Sequence, residues 1–380
     1  MKQRKEPPTA DVLKAMAAWR YPMFGKANPE DMTNEAWVWI VRNNVTAHRV
    51  DRLLDLLDTR TRKPLWWLEE THQPIRPLDR PAWTFDRMIN SVTELDDGTK
   101  ISIGGCHEDF YDADFYIYND VVVERPDGSV EIYGYPRDVF PPTDQHTAVP
   151  VDEAIYIIGN GAFGAPRDEI PVYRLNLRDF SIQHIKTAGE KPTELTRAEG
   201  RLSDDGLQII MEGGDYAHPE WSSTENIDSW ALDLATLTWH RLTRKPWKRF
   251  VVFRDPWSRN RLSYFDTVFR ARRSERWSTY DRKKEARLLD AGCVLDEELF
   301  RSRYLPPIEH EALETKTGFR ASQRIRVQDI DVRYQQHDDG IYLTIEGILS
   351  PDVIETLLTD VMEKLSKLEN CAYTYKNIDR

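Results

Sequence analysis

The sequence has few cysteines and no long apolar run. Its three cysteines are far apart in the chain and form no CxxC motif, which is typical of a reducing compartment and does not match the ligand spacing of structural zinc. No stretch approaches the about 18 consecutive apolar residues of a membrane-spanning helix, and the opening segment MKQRKEPPTADV lacks the apolar part of a secretory signal. We therefore predict a cytoplasmic protein that does not bind a membrane.

Basic residues are fewer than acidic ones. The chain has 52 Lys and Arg against 64 Asp and Glu, a net charge of −12, which argues against nucleic acid or an anionic membrane as the default partner. The balance is uneven, because residues 241–287 hold 16 basic and 5 acidic residues, a local charge of +11. The rest of the chain therefore carries −23, and the two parts either attract each other or present different contact surfaces.

Motifs of nucleophilic and metal-dependent catalysis are also missing. The sequence contains neither GxSxG nor HExxH, which favours a non-catalytic protein over an enzyme. Residues 159–164, GNGAFG, match the GxGxxG pattern of dinucleotide-binding sites, but two prolines and a further strand follow where such a site needs a helix. We expect a turn at these residues and predict no cofactor and no catalytic residue.

The first of four predicted regions, residues 1–82, has helical spacing. Helices are expected over residues 11–19 and 34–41, the second one capped by Thr33. A third helix is expected to begin at Thr46, because four apolar residues then recur at the spacing of one buried helix face: Val50, Leu53, Leu54 and Leu57. Several prolines mark the end of this region.

The second predicted region, residues 83–246, contains a threefold internal repeat. An apolar strand runs into a glycine-containing turn three times, as KISIGG, IYIIGNG and QIIMEGG. The equivalent turn positions Gly105, Asn160 and Gly214 are 55 and 54 residues apart. Each turn is followed by a strand with an aromatic residue: Tyr118, Tyr173 and Trp230. Because short strands and turns recur at a fixed period, we predict three similar all-β units.

This order of strands resembles the kelch repeat, whose units form the four-stranded blades of β-propellers. Residues 104–121 and 140–148 are also similar to segments of bacterial kelch-repeat proteins from an uncharacterised group, so the resemblance implies a fold and no activity. It implies a fold that is mainly β with α. The expected architecture is a kelch-like partial or distorted β-propeller with an N-terminal helical cap and a small C-terminal α+β unit.

Three units are fewer than the about four to eight blades of a typical propeller. Further strands are predicted at residues 249–254 and 262–269, and they would form an irregular fourth blade. Alternatively, the N-terminal helices cap an open arc of three units, and we favour this second arrangement.

The last two predicted regions are residues 247–305, a basic segment of strand and helix, and residues 306–380. In the final region two strands, a helix that begins at Ser350 and Pro351, and a last short strand give a β-β-α-β order. The helix carries a one-sided apolar stripe: Val353, Leu357, Val361, Leu365 and Leu368. Such a stripe predicts packing against a sheet or a partner.

An acidic insertion after the first glycine turn is the principal candidate contact surface. The segment CHEDFYDADFYIYND contains no Lys or Arg, and in a blade it would form a loop at the edge. The predicted partner-binding residues in it are His107, Glu108, Asp109, Asp112 and Asp114. Its oxygen ligands would suit calcium, but Asp and Asn in loops more often bond backbone amides. We predict no metal.

Asp144, His146 and Trp221 complete the predicted partner-binding set. At i and i+2 on a strand, Asp144 and His146 would share a face, where the carboxylate would orient the imidazole. Alternatively, His146 occupies the kelch position at which a polar residue bonds the neighbouring blade. Aromatic residues such as Trp221 are frequent anchors of protein interfaces.

The basic region offers a second candidate surface, formed by Arg272, Arg273 and Arg276. Arginines interleaved with aromatic residues can bind single-stranded nucleic acid by stacking and phosphate neutralisation. The strongly acidic remainder of the chain would repel such a ligand, so a basic helix that docks on the acidic part explains the same residues with fewer assumptions.

We therefore expect a non-catalytic protein-binding module. One concrete version is a cytosolic inhibitor, such as an immunity protein that sequesters a basic toxin or enzyme, with the acidic surface steering the encounter. The alternatives are a hydrolase or other enzyme that uses the acidic and histidine-containing loop face, and a nucleic-acid-binding protein that uses residues 241–287. The enzyme requires its carboxylates and histidines to converge in one pocket.

Overall fold

A computed structural model describes the following residues of the chain: 7–46, 49–50, 53, 82–107, 116–160, 169–217, 221–316 and 322–378. They form a mainly β structure with several sheets, in which 25 strands and six helices have defined bounds within the described residues. The chain divides into two compact units. The first unit comprises residues 1–219 and 225–243, and the second unit comprises residues 220–224 and 244–380. None of the described helices is both long and apolar enough to cross a membrane.

The first unit begins with two capped helices, α1 (Ala10–Ala18) and α2 (Glu35–Arg42). The predictions for both helices are confirmed, but the cap of α2 is Asn34 rather than Thr33. The Asn34 side chain accepts from the amide of Trp37 at 3.0 Å, while the Thr33 hydroxyl accepts from the amide of Ile132. Thr33 thus ties the helical segment to a strand instead of capping it.

Only part of the third predicted helix is described. Val50 and Leu53 are helical, and the amide of Val50 donates to the Thr46 carbonyl oxygen at 3.1 Å. This contact agrees with a helix that begins at Thr46. The other two residues of the predicted apolar face, Leu54 and Leu57, lie outside the described residues.

Each of the three sequence repeats forms its own antiparallel sheet of four main strands. The strands of the first sheet are β2 (Ser91–Glu94), β3 (Lys100–Ile103), β6 (Val121–Glu124) and β7 (Val130–Gly134), with β1 (Glu30–Asp31) at the edge. Those of the second are β8 (Thr147–Val151), β9 (Ala154–Ile158), β10 (Val172–Asn176) and β11 (Ile182–His184). Those of the third are β14 (Glu199–Leu202), β15 (Gln208–Glu212), β18 (Trp230–Asp233) and β19 (Thr238–Arg241), with β12 (Ala188–Gly189) at the edge.

Five short strands lie outside these three sheets. Their bounds are β4 (Cys106–His107), β5 (Tyr116–Ile117), β13 (Leu195–Thr196), β16 (Asp215–Tyr216) and β17 (Thr224–Glu225). β4 pairs with β5, and β13 pairs with β16, both antiparallel. The first of these pairs fixes the two ends of the acidic insertion.

The sheets pack face to face in sequence order, and alternation along the strands explains how. In β6, Val121 and Val123 belong to the apolar cluster shared with the second sheet, whereas Val122 belongs to the cluster shared with the N-terminal helices. In β9, Ile157 faces the first sheet and Ile158 belongs to the cluster shared with the third. Because successive side chains point to opposite faces, a continuous apolar run is buried on both sides. The N-terminal helices therefore cover the outer face of the first sheet.

Main-chain hydrogen bonds link the three repeats at equivalent positions. The amide of Gln145 donates to the carbonyl oxygen of Ile89 at 3.0 Å, and the amide of Arg197 donates to that of Gln145 at 2.8 Å. All three residues have left-handed φ values, between 54° and 58°. Each repeat thus holds the next through a residue in the same uncommon conformation.

The glycine turns allow neighbouring repeats to approach closely. Gly104 has a φ of +54°, and a Cβ atom there would lie 2.2 Å from the carbonyl oxygen of Thr143. At Gly159, with a φ of +80°, the corresponding distance is 2.3 Å, to the carbonyl oxygen of Leu195. Only glycine fits both the conformation and the space, which explains the glycines that mark the repeat in the sequence.

The second unit is one six-stranded antiparallel sheet with four helices. Its order is β21-β22-β23-β24-β20-β25. The strands are β20 (Lys248–Asp255), β21 (Glu311–Lys316), β22 (Ser322–Val327), β23 (Ile330–Gln336), β24 (Ile341–Glu346) and β25 (Ala372–Asn377). The helices are α3 (Leu262–Ser274), α4 (Thr279–Asp290), α5 (Glu297–Arg301) and α6 (Pro351–Glu369). Helices and strands contribute to a single apolar cluster.

The helix start predicted at Ser350 and Pro351 is confirmed. The Ser350 side chain caps α6 by accepting from the amide of Val353, and Pro351 takes the first helical position. Three of the predicted stripe residues are fully buried in the core of the second unit: Leu357, Leu365 and Leu368. The apolar stripe of α6 therefore packs against the sheet of its own unit.

The predicted fourth blade is wrong. Residues 262–269 were expected to form a strand, but they begin the helix α3, where Leu262, Phe265 and Phe269 recur at helical spacing and are buried. Residues 249–254 do lie in a strand, β20, but its partners are β24 and β25 of the second unit. The buried residues of this run recur with the period of a helix, so its aromatic composition alone does not indicate a strand.

Candidate functional site

The acidic insertion joins β4 to β5 in the first unit. Cys106 pairs with Ile117 and His107 with Tyr116 across this short ladder, so the insertion leaves and re-enters the fold at one place. Four predicted partner-binding residues within it lie outside the described residues: Glu108, Asp109, Asp112 and Asp114. The predictions for these four remain predictions.

His107 and Cys106 point in different directions, as alternation on an extended segment requires. The His107 side chain is buried, and its Nδ1 lies 2.9 Å from the carbonyl oxygen of Asp86. Cys106 is also buried and hydrogen-bonds the carboxylate of Asp144. Cys106 and His107 thus each have a hydrogen-bond partner outside β4.

Asp144 and His146 do not form the carboxylate–imidazole pair suggested by their spacing. Gln145 between them has a φ of +54°, so the segment is not regularly extended and the two side chains lose their common face. His146 Nε2 instead lies 2.8 Å from Oγ of Ser91, at the start of β2 in the neighbouring sheet. The alternative prediction, that His146 bonds the neighbouring repeat, agrees with this contact.

Burial shifts the titration of both groups. Desolvation lowers the pKa of His146 to about 4, so its imidazole is neutral near pH 7. Desolvation raises the pKa of the Asp144 carboxyl, while the hydrogen bond with Cys106 opposes the rise. Both side chains are buried polar groups at a junction between repeats, where desolvation opposes the charged form of each.

An exposed apolar patch lies beside these residues and was not predicted. Met88, Ile89 and Val92 are 48%, 44% and 60% exposed. Met88 exchanges two main-chain hydrogen bonds with Cys106, and Ile89 accepts from Gln145. The patch therefore lies between the start of the acidic insertion and the segment that carries Asp144 and His146. A β-branched residue at a left-handed φ, such as Ile89, is rare and often marks a functional position.

The described members of the proposed enzyme site are held by separate partners. His107 bonds Asp86, Asp144 bonds Cys106, and His146 bonds Ser91. Within the described ranges, no group of three or more Asp, Glu, His or Cys side chains is arranged to hold a metal ion. These separate contacts do not by themselves assemble an acid–base set, whose groups would bond one another or a shared substrate.

Trp221 belongs to the second unit and contributes to its packing. The indole lies 5.1 Å from the ring of Phe253 and packs against a small buried cluster that contains Val251 and Tyr342. The side chain is only partly buried. The structure thus places Trp221 in a different unit from His107, the first residue of the predicted set.

Two of the three predicted basic-surface arginines already have carboxylate partners. Arg272 pairs with Glu285 at 2.8 Å, and Arg273 pairs with Glu297 at 2.6 Å, while Arg276 is exposed. All three side chains are exposed, and surface ion pairs of this kind contribute little energy. Nucleic-acid binding at these arginines therefore stays a prediction.

Comparison with known proteins adds no family to these observations. No protein-family model matches the sequence, and the search of curated proteins gives no significant match. The kelch resemblance therefore stays a prediction from the three repeats in the sequence.

Proposed function

We propose that the chain is a non-catalytic protein-binding module, built on a kelch-like partial β-propeller of three blades with a helical cap. Its contact surface is the apolar patch of Met88, Ile89 and Val92, together with the adjoining acidic insertion. The patch carries the proposal, because three large apolar side chains within five residues are exposed, at β2 and in the segment that leads into it. Exposed apolar side chains that cluster in this way are typical of interaction sites.

The acidic insertion supplies the polar rim that such an interface needs. Protein interfaces combine an apolar centre with a polar periphery, and four of the seven residues after His107 carry carboxylates. A basic partner would be attracted at long range by these carboxylates and held by the patch. In the concrete form of the proposal, the protein is a cytosolic inhibitor of the immunity type that sequesters a basic toxin or enzyme.

The proposal is tested by capture of a partner from the native cell with matched variants. Val92→Lys places a charge in the patch, whereas Leu207→Lys changes a residue that is equally exposed, at 60%, in the third repeat. We expect the wild type and Leu207→Lys to retain one stoichiometric protein and Val92→Lys to lose it. Equal capture by both variants, or no stoichiometric protein, would count against the proposal. Release by nuclease would point to nucleic acid instead.

A further inference from the structure

A cavity of about 380 Å³ lies in the second unit. Three arginines and one carboxylate are among its lining residues: Asp266, Arg273, Arg301 and Arg303. Aromatic side chains of Phe300 and Tyr304 form part of the wall. Its volume falls in the range of small-molecule sites, about 300–1,000 Å³, and its charged lining is predominantly cationic.

Arg303 is held in place by stacking and hydrogen bonds. Its guanidinium carbon lies 3.8 Å from the centre of the Phe300 ring and 4.6 Å from that of Tyr304, and one terminal nitrogen donates to Gln336. The other terminal nitrogen donates to the carbonyl oxygen of Phe300. A guanidinium fixed in this way loses little freedom when it binds an anion, and each terminal nitrogen has a second N–H for the ligand.

Arg273 and Arg301 share a single carboxylate. Their guanidinium nitrogens lie 2.6 and 2.8 Å from the same oxygen, Oε1 of Glu297. These hydrogen bonds lower the pKa of Glu297, so it is ionised near pH 7. One negative charge thus orients two positive groups at the cavity, and a net positive charge remains there.

Asp266 provides the opposite polarity on another part of the wall. Burial raises the pKa of this carboxyl, against the attraction of Arg303. Within the part of the chain that the structure describes, its one hydrogen bond is to the Gln336 amide at 3.5 Å, and no ion pair joins it to the three arginines. The carboxyl and the guanidinium groups therefore line the same cavity and leave room for a ligand between them.

We propose that this cavity binds a small organic anion. A phosphate or carboxylate group would lie at Arg273, Arg301 and Arg303, and an N–H or O–H group of the same ligand would donate to Asp266. Guanidinium groups bind both kinds of anion through paired, charge-assisted hydrogen bonds. This proposal depends only on the second unit and is independent of the function proposed for the first.

Calorimetric titration of the full chain with three probes tests the proposal: inorganic phosphate, citrate and adenosine monophosphate. Arg273→Gln is compared with Arg272→Gln. Both arginines are on α3 and each pairs with a different glutamate, but of the two only Arg273 lines the cavity. We expect Arg273→Gln to weaken binding about tenfold or more, as for the loss of one charge-assisted hydrogen bond. Arg272→Gln should change the affinity less than about twofold.

The three probes also distinguish the kind of anion. Binding of phosphate and adenosine monophosphate would assign a phosphate ligand, and binding of citrate alone would assign a carboxylate ligand. Asp266→Asn should strengthen the binding of inorganic phosphate, because it removes an acidic group from the wall and leaves the three arginines in place. The proposal is overturned if no probe binds at a concentration of about 10 mM, which exceeds even weak dissociation constants of about 1 mM. It is also overturned if Arg273→Gln and Arg272→Gln change the affinity equally.

Discussion

The two units of this protein divide their apolar cores in different ways. In the first unit, one apolar cluster lies between the first and second sheets and another between the second and third. A further apolar cluster lies between the N-terminal helices and the first sheet. In the second unit, one sheet and its helices share a single large cluster. Strands of the first unit must therefore be apolar on both faces, whereas the second unit has one principal buried interface. The comparison teaches that a repeated sequence distributes its stability over several small interfaces, and a single sheet concentrates it in one.

The strongest test of this contrast is a truncation in the core of the second unit. Phe265 is fully buried and stacks on Phe300 at 5.5 Å. We expect Phe265→Ala to lower the free energy of unfolding by about 3–5 kcal/mol, because it removes an aromatic side chain and leaves a cavity. Urea denaturation measures this loss. A decrease below about 1 kcal/mol would contradict a concentrated core.

The buried histidine between two repeats predicts a pH dependence in the first unit. The folded pKa of His146 is lowered to about 4 by burial, below the unfolded value of about 6.5. As the pH falls through 6.5, the unfolded state binds a proton and the folded state does not, so stability decreases until about pH 4.

The expected slope from His146 is at most about 1.4 kcal/mol per pH unit. In His146→Gln, the free energy of unfolding measured by chemical denaturation between pH 7 and 4 should lack this dependence on pH. His184→Gln is the control, because that histidine is exposed. The same slope in wild type and His146→Gln would show that another group is responsible.

The close approach of neighbouring repeats is tested at their glycines. In Gly159→Ala the new methyl group would lie 2.3 Å from a carbonyl oxygen of the next repeat, whereas in Gly206→Ala, also at positive φ, it would meet no atom within 4 Å. Both variants have the unfavourable conformation, so the difference isolates the steric contact. We expect Gly159→Ala to be less stable by about 1–3 kcal/mol. Thermal unfolding that gives equal losses would contradict the close packing.

The smallest expected effect on stability is at Ile89. A glycine at this φ of +58° relieves an unfavourable conformation, but it also increases the freedom of the unfolded chain. We expect Ile89→Gly to change the free energy of unfolding by less than about 1 kcal/mol. Partner capture should nevertheless weaken, because the exposed side chain is gone. A large loss of stability would assign Ile89 to packing rather than to contact.

Sequence reasoning was most successful where a pattern depends on local geometry. The period of the glycine turns predicted three similar units because the close approach at Gly104 and Gly159 excludes any other residue. The Ser350–Pro351 helix start was also predicted, since capping involves only neighbouring residues.

Features that depend on backbone conformation or distant contacts were missed. The left-handed φ of Gln145 separates Asp144 from His146, and nothing in the residue types indicated it. The cavity of the second unit brings Asp266 together with Arg303 through tertiary packing, which no local spacing encodes.

The proposed contact surface is tested most directly by site-specific photo-crosslinking in the native cell. A photoreactive phenylalanine analogue replaces either Val92, in the patch, or Leu207, which is equally exposed. We predict that the analogue at position 92 crosslinks one protein partner and that the analogue at position 207 does not. Crosslinking of the same partner from both positions, or from position 207 alone, would contradict a contact surface at Met88, Ile89 and Val92.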